Sequence, residues 1–294
     1  MRILVSGGTG FIGQVLCPQL TQDGHDVIVW SRQPNPEVAE GVTTIQKLED
    51  MTGPNPDAVI NLAGASIADG RWTEERKRLL VDSRVDTTGK LVDWMRAMES
   101  PPKALISASA VGYYGEQGDR VITEETAPTS GFTHDLCEQW ENEALKAESL
   151  GVRVCLVRTG VVLDRDGGAL AKMLPPFKMG AGGRLGSGEH YFPWIHRADI
   201  VGIYQWLVAN EKASGPYNAG APNPVTNAEF TRALGSALKR PTVLPMPEPV
   251  LRLLFGEMSE ILLVSNRMMP TRLLDEGFKF RYPELKQALQ AILQ

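Results

Sequence analysis

A glycine-rich segment near the beginning of the chain has the residues of a phosphate-binding loop. It reads GGTGFIG over residues 7–13 and lies between an apolar run and an amphipathic stretch. Gly7 permits a tight turn, Gly10 lets the backbone approach a diphosphate, and Gly13 allows close packing of helix on sheet. Free N–H groups at the start of the next helix would bind the phosphates. The predicted dinucleotide site comprises Gly7, Thr9, Gly10, Phe11, Ile12 and Gly13.

The residues that end the second apolar run indicate which dinucleotide fits. An acidic residue about 20 positions beyond the glycine loop would bind an unphosphorylated ribose. This chain has Ser31 and Arg32 there, and the next carboxylate is Glu37. Arg32 can form charge-assisted hydrogen bonds with a 2′-phosphate, and Ser31 can add another. The pair therefore favours NADP over NAD, with a purely solvated Arg32 as the alternative.

Alternating apolar runs and helical patterns show how these residues are positioned. Short runs rich in Val, Ile and Leu predict buried strands, and the longer amphipathic stretches predict helices. We predict strands at 2–6, 26–31, 57–64, 103–110 and 152–163, and helices at 11–22, 73–98 and 131–149, with a break near Thr87–Gly89. The pattern is typical of an α/β protein with a Rossmann-type doubly wound parallel sheet.

The pattern changes after residue 164, where Gly and Pro cluster. We predict that residues 1–163 form an NADP-binding Rossmann domain and residues 164–294 a smaller C-terminal α/β lobe for substrate. Part of 192–225 is expected to return to the first domain, through a helix near 197–209 and a strand near 215–220. Thr226 and Glu229 have the spacing of a capping box at the start of a further helix.

Composition excludes several classes of function. The chain has 294 residues and a formal net charge of −5, which argues against non-specific nucleic-acid binding. Its three cysteines are far apart and indicate no disulfide framework. The four histidines have no metal-ligand spacing, so we expect no metal. There is neither a signal peptide nor an apolar stretch of about 18 residues, so a cytoplasmic protein without a membrane span is expected.

Four segments resemble the extended short-chain dehydrogenase/reductase superfamily, which includes nucleotide-sugar epimerases and dehydratases. They are GGTGFIG at 7–13, NLAG at 61–64, SASAVGYYG at 107–115 and LVRTGVVL at 156–163. A narrower resemblance, to the atypical 39U1-like epimerase-family branch, is carried by GSG at 186–188, FPWIHRADIVG at 192–202, NAEF at 227–230 and MPTRLLDEGFKF at 269–280. The resemblance covers essentially the whole chain. It implies an NADP-binding Rossmann domain and a small C-terminal substrate domain.

The resemblance also implies further cofactor contacts. The turn after the third strand would line the adenosine and the nicotinamide-side ribose. The backbone after the fifth strand would also contact the cofactor. Arg84 occupies a helix position that is often Asn in extended members. The residues implied are Leu62, Ala63, Gly64, Arg84, Thr159, Gly160 and Val161.

The catalytic pattern of the superfamily is incomplete in this chain. Family members use a Ser, a Tyr and a Lys four residues after the Tyr, and the Tyr exchanges a proton with substrate as hydride moves. In the matching segment 130–141, the Tyr slot holds Phe132 or Thr133 and the Lys slot holds Leu136 or Cys137. Tyr282 and Lys286 have the right spacing, but they lie near the carboxyl terminus and are a chance match.

Residues at the end of the fourth strand and just past it are the candidate replacements. Ser109 keeps the position that polarises a substrate oxygen, and Tyr113 or Tyr114 could exchange the proton if a cation lowered its pKa. His134 could titrate near neutral pH. The alternative is that the tyrosines only pack or shape the pocket and His134 is a surface residue. Arg158, inside the fifth strand, needs a partner if it is buried.

The second lobe supplies two candidate substrate contacts. Trp194 could stack on a ring and His196 could orient a substrate. In the alternative, His196 is a satisfied buried residue and Asp199 caps the next helix.

Two functions remain open. One is an NADP-dependent oxidoreductase or epimerase acting on a small sugar-like or nucleotide-linked molecule. The other is a catalytically silent NADP(H)-binding sensor or scaffold. By analogy, the helices at 73–98 and 131–149 could form a homodimer.

Overall fold

The computed structural model describes residues 1–294, which form thirteen strands and ten α-helices. The strands are β1 Arg2–Ser6, β2 Asp26–Trp30, β3 Val42–Ile45, β4 Ala58–Asn61, β5 Ala104–Ala110, β6 Val121–Ile122, β7 Arg153–Thr159, β8 Val161–Asp164, β9 Tyr191–Phe192, β10 Trp194–His196, β11 Gly215–Ala219, β12 Val225–Thr226 and β13 Arg267–Met268. The helices are α1 Gly13–Gln22, α2 Glu74–Arg96, α3 Phe132–Leu145, α4 Gly168–Lys178, α5 Arg197–Ala209, α6 Asn227–Leu238, α7 Glu248–Phe255, α8 Glu260–Leu263, α9 Thr271–Asp275 and α10 Leu285–Leu293.

Seven strands form one parallel sheet in the order β11-β7-β5-β4-β1-β2-β3. The direction of winding reverses between β1 and β4, which leaves a crevice at their carboxyl ends where ligands bind in such folds. This is the Rossmann-type doubly wound sheet that the sequence predicts.

Helices cover both faces of the sheet because successive strand residues point to opposite sides. On one face, Ile3 and Val5 of β1 are in a core that includes α1 and α5. On the other face, Leu4 packs in a second core with residues of α2 and α3, among them Leu91 and Met95. Both cores consist of buried residues, and the sheet separates them.

The structure corrects three sequence-based element assignments. The strand predicted at 152–163 is two strands, since Gly160 separates β7 from β8, which pairs with β10 instead. A Cβ on Gly160 would lie 2.5 Å from the carbonyl oxygen of Pro193, so only glycine allows this approach. Helix α2 runs unbroken through Thr87–Gly89. The edge strand β3 and the proline-containing helix α4 were not predicted.

The C-terminal part has its own core, formed mainly by α4, α6 and α10. The predicted capping box is present: the Thr226 hydroxyl accepts from the Glu229 N–H at 3.3 Å, and the Glu229 carboxylate accepts from the Thr226 N–H at 2.8 Å. After α5, β11 adds to the central sheet beside β7. None of the helices combines the length and apolar composition that a bilayer crossing requires.

Candidate functional site

A cleft of about 550 Å³ opens where β1, β2 and β4 end. It is lined by eight of the predicted cofactor residues, namely Gly7, Thr9, Gly10, Ser31, Arg32, Leu62, Ala63 and Gly64. The strand-to-loop transitions of three neighbouring strands thus bring together segments that are up to 57 positions apart in sequence, from Gly7 to Gly64.

The glycine loop forms the floor of this cleft. Gly7 has a φ of +70°, and a Cβ there would lie 2.7 Å from the backbone of Leu62, so the turn requires glycine. The N–H groups of Phe11 and Ile12 donate to no acceptor in the protein, and the first turn of α1 holds no acidic residue. Free amides and the positive end of the helix dipole therefore form an anion site.

The end of β2 contributes a second anion site. Ser31 is buried, and its hydroxyl accepts from the Gln33 N–H at 3.2 Å, which leaves its proton free. Arg32 is exposed in the same cleft and forms no ion pair with the protein. A cation without a carboxylate partner is what a phosphate monoester requires.

Sequence reasoning missed the side of the cleft that α2 provides. Its lining residues are Leu79, Asp82, Ser83, Asp86, Thr87 and Lys90. They recur three and four positions apart, which places them on one face of a helix. That periodicity, in the helix that follows β4, was the available signal. Lys90 adds a second exposed cation on this wall.

The other predicted cofactor residues are not among those that line the cleft; they are Phe11, Ile12, Gly13, Arg84, Thr159, Gly160 and Val161. Gly13 is buried against Gly8, where a Cβ would lie 2.5 Å from its Cα. Thr159, Gly160 and Val161 join β7 to β8 farther along the same sheet edge, and the Gly160 N–H donates to the Ala219 carbonyl at 3.0 Å.

Arg84 on α2, a cofactor contact implied by the resemblance, makes its hydrogen bonds within the protein. Its guanidinium donates to the carbonyls of Leu80 and Ala65, both at 3.0 Å, and lies over the Trp140 ring at 5.2 Å. Burial lowers its pKa from the ordinary value. Arg84 therefore holds the loop after β4 against α2, and its guanidinium packs against Gly64, which lines the cleft.

Ser109 belongs to a buried ionic network. It is 3% exposed, and its hydroxyl donates to the Glu141 carboxylate at 2.6 Å. Glu141 accepts two hydrogen bonds from Arg158, at 2.9 and 2.8 Å. The expectation that buried Arg158 has a partner is confirmed. The only proton of Ser109 is committed to Glu141 and cannot also be donated to a substrate oxygen.

Tyr114 is part of the same network. It is fully buried, donates to the Asn218 amide oxygen at 2.6 Å and accepts from Arg158 at 3.0 Å. Burial raises the pKa of its hydroxyl to about 12. This environment contradicts the assignment of Tyr114 as a proton-exchanging group, because the hydroxyl is sealed from substrate and held in its neutral form.

Tyr113, the neighbouring residue, has an unoccupied hydroxyl. It is half-buried in a short 3₁₀ helix, and its hydroxyl makes no hydrogen bond within the protein. The Arg158 guanidinium lies 3.4 Å from its ring centroid, on the ring face. The ring of His134 meets the ring of Tyr113 edge-on, and His134 Nδ1 lies 2.8 Å from the Tyr113 carbonyl. His134 therefore positions Tyr113 and is buried instead of surface-exposed.

The two candidate substrate residues are structural in this fold. Trp194 is 1% exposed within the C-terminal core, so it offers no face for stacking on a substrate. His196 Nδ1 accepts from the Ala198 N–H at 2.9 Å, which caps α5, and its ring stacks on Tyr282 at 3.9 Å. Asp199 accepts from the backbone of Arg281 and Tyr282, so it is not the helix cap. The alternative of a satisfied buried His196 therefore describes this region.

No group of three or more His, Cys, Asp or Glu side chains is arranged to hold a metal ion. The three cysteines are free and buried.

Comparison with known proteins identifies the family. A model described as the NAD dependent epimerase/dehydratase family matches residues 3–220, and one described as domain of unknown function DUF1731 matches 246–292. The chain belongs to the NAD dependent epimerase/dehydratase family. Epimerase family protein SDR39U1 of Mus musculus is 40% identical over 298 residues, with both chains covered completely. YfhF of Bacillus subtilis is 37% identical, with 100% of this chain and 98% of that protein covered.

Solved structures agree with this placement. The structure of human SDR39U1, isoform 2, with NADPH has a TM-score of 0.91 and 37% identity, and 99% of each chain is covered. The nucleoside-diphosphate sugar epimerase of Corynebacterium glutamicum has a TM-score of 0.78 and 30% identity over all of this chain and 58% of that one.

Proposed function

We propose that this protein binds NADP(H) in the cleft at the ends of β1, β2 and β4. The observation that carries the proposal is the unpaired Arg32 beside Ser31, at the position where an NAD-binding protein needs a carboxylate. The Phe11 and Ile12 amides would hold the diphosphate, and Ser31 and Arg32 the 2′-phosphate. The likeness to human SDR39U1, solved with NADPH, supports the same cofactor.

We further propose an oxidoreductase or epimerase that acts on a small sugar-like or nucleotide-linked carbonyl or alcohol. The bound nicotinamide supplies or accepts the hydride. Tyr113 is the candidate for proton exchange, since its hydroxyl has no protein partner. The Arg158 guanidinium lies against the face of its ring, 3.4 Å from the centroid, and holds the ring in place.

A catalytically silent NADP(H) sensor is the second candidate. It is favoured by the environments of Ser109 and Tyr114, whose hydroxyl protons are both donated within the buried network. It is also favoured by segment 130–141, where the superfamily's Tyr position holds Phe132 or Thr133 and its Lys position holds Leu136 or Cys137.

Cofactor titration tests the first proposal. We expect NADPH to bind more tightly than NADH, followed by cofactor fluorescence, and Arg32→Ala to weaken NADPH binding about 10- to 100-fold, because a charge-assisted hydrogen bond is worth about 1.5–3 kcal/mol. Arg232→Ala removes an exposed arginine from α6, away from the cleft, and is the matched control. Equal affinities for NADPH and NADH would contradict the proposal.

Turnover separates the enzyme from the sensor. NADPH absorbance and product stereochemistry are followed with a panel of nucleotide sugars and simple sugar carbonyls. Activity in the native protein that Tyr113→Phe abolishes supports the enzyme and the role of Tyr113. Tight NADPH binding without turnover on any of the panel supports the sensor.

A further inference from the structure

Arg197, the first residue of α5, is a buried arginine without a hydrogen bond. Its side chain is 9% exposed, and its nearest carboxylate oxygen, on Asp164, is 3.7 Å from Nη1. The Nε atom is sealed from solvent and has no partner. Buried donors that lack an acceptor are costly, and buried charges without close partners even more so. Such a side chain has the chemistry of a binding site for an anion.

The surroundings of Arg197 point to the glycine loop. Its guanidinium lies over the ring of Phe11, with the central carbon 4.4 Å from the ring centroid. The same ring also contacts the backbone turn at Gly167 and Gly168, where added Cβ atoms would lie 2.5 and 2.9 Å from ring atoms. The start of α5, the turn after β8 and the glycine loop therefore meet at one side chain.

Two kinds of unsatisfied donor gather at this junction. The Phe11 and Ile12 amides donate to no acceptor, and neither does the Arg197 guanidinium on the ring of Phe11. A single phosphate at the helix N-terminus would satisfy the amides. A diphosphate has a second group of oxygens, and a guanidinium can bind such oxygens in a bidentate manner.

We infer that Arg197 is a further ligand of the dinucleotide's diphosphate, an inference that rests on the proposed binding of NADP(H). The distant pair with Asp164 is the contact that the diphosphate replaces, because it is too long to be a hydrogen bond. Arg32 then binds one end of the cofactor, the 2′-phosphate, and Arg197 binds its middle. The two arginines have separate ligand groups and can be tested separately.

The test compares NADPH with adenosine 2′-monophosphate, which has the 2′-phosphate but no diphosphate. Affinities of both are measured by calorimetric titration for native protein, Arg197→Met, Arg197→Lys and Arg32→Ala. We expect Arg197→Met to weaken NADPH about 10- to 100-fold and to change the monophosphate affinity less than about twofold. Arg197→Lys keeps the charge without the bidentate geometry, so its NADPH affinity should lie between those of the native protein and Arg197→Met. Arg32→Ala should weaken both ligands.

Other outcomes overturn the inference. Unchanged NADPH affinity in Arg197→Met would show that the guanidinium does not reach the diphosphate, and an equal loss for both ligands would show that Arg197 only supports the fold of the cleft. Arg232→Ala, which changes an exposed arginine of α6 away from the cleft, is the control and should keep NADPH affinity within about twofold. If Arg197→Met does not fold, Arg197→Lys decides, and native-like NADPH affinity in that variant refutes the bidentate contact. Native protein that binds the monophosphate but not NADPH would refute the proposed cofactor itself.

Discussion

Two buried arginines, both near the carboxyl ends of the parallel strands, show how differently this molecule treats a buried charge. Arg158 is 4% exposed and makes four hydrogen bonds, two of them to Glu141. Arg197 is 8% exposed and makes none. Both charges are equally hidden from water, so burial does not separate a structural from a ligand-binding arginine. The difference is whether the protein supplies the acceptors.

The same contrast extends to the two regions around them. Around Arg158, the hydroxyls of Ser109 and Tyr114 both donate to protein acceptors. Around the cleft, the Phe11 and Ile12 amides and Arg32 have no acceptor. The first region has satisfied its hydrogen bonds internally, whereas the second is preorganised for an anion. Tyr113 is the exception in the first region, because its hydroxyl is free.

Breaking the Arg158–Glu141 pair should have the largest effect on the fold. Arg158→Met leaves Glu141 buried without its cation, and removing one partner of such a pair costs about 3–5 kcal/mol. Arg197→Met, the matched control, should change the free energy of unfolding by at most about 1 kcal/mol without ligand, since it loses a cation–π contact and a 3.7 Å pair with the partly exposed Asp164. Urea denaturation measures both. Equal losses would mean that the hydrogen-bond count does not distinguish the two arginines.

The next largest effect on stability should come from the protonation of His196 at low pH. Burial lowers the pKa of His196 to about 4, with Arg281 lowering it further and Asp164 opposing. The unfolded chain binds this proton near pH 6.5, so stability is lost as pH falls from about 6.5 towards 4, by about 2 kcal/mol at pH 5. His196→Asn keeps an acceptor for the Ala198 N–H but does not titrate. The variant should lose this share of the pH dependence. If the free energy of unfolding of the native protein, measured with urea, depends on pH between 5 and 7.5 no more than that of the variant, His196 is not a buried neutral imidazole.

Local signals made the cofactor region predictable. The glycine loop, its strand and its helix are contiguous in sequence, and Ser31 and Arg32 directly follow β2. The need of Arg158 for a partner also followed from elementary electrostatics. Each of these inferences depends on a few neighbouring residues, and the structure places them as expected.

The remaining features depend on contacts between distant segments. Tyr114 is sealed by Asn218, which is 104 positions away, and no local pattern reveals that pairing. The boundary between β7 and β8 at Gly160 depends on the approach of Pro193. Arg197 looked like an ordinary helix start, since only the fold brings it to Phe11. Sequence therefore selected most of the loops that line the cleft and misjudged which polar residues were already partnered.

Removing the Tyr114 hydroxyl should have a moderate effect on stability. Tyr114→Phe deletes hydrogen bonds with Asn218 and Arg158 and leaves their buried atoms short of a partner, which costs about 1.5 kcal/mol. Thermal unfolding of the variant beside native protein measures the loss. NADPH affinity should stay within about twofold, because the Tyr114 hydroxyl is fully buried and bonded within the protein. A stability equal to that of native protein would show that the network is not satisfied as described.

Tyr113→Phe should have the smallest effect on stability and the most informative effect on function. Its hydroxyl makes no hydrogen bond, so the free energy of unfolding should change by less than about 0.5 kcal/mol. The ring, and with it the Arg158 contact at 3.4 Å, remains in the variant. Lost turnover with unchanged stability and NADPH affinity would identify the Tyr113 hydroxyl as the proton-exchanging group. Lost stability would instead make Tyr113 a structural residue like Tyr114, and the contrast between the two regions would then have no exception.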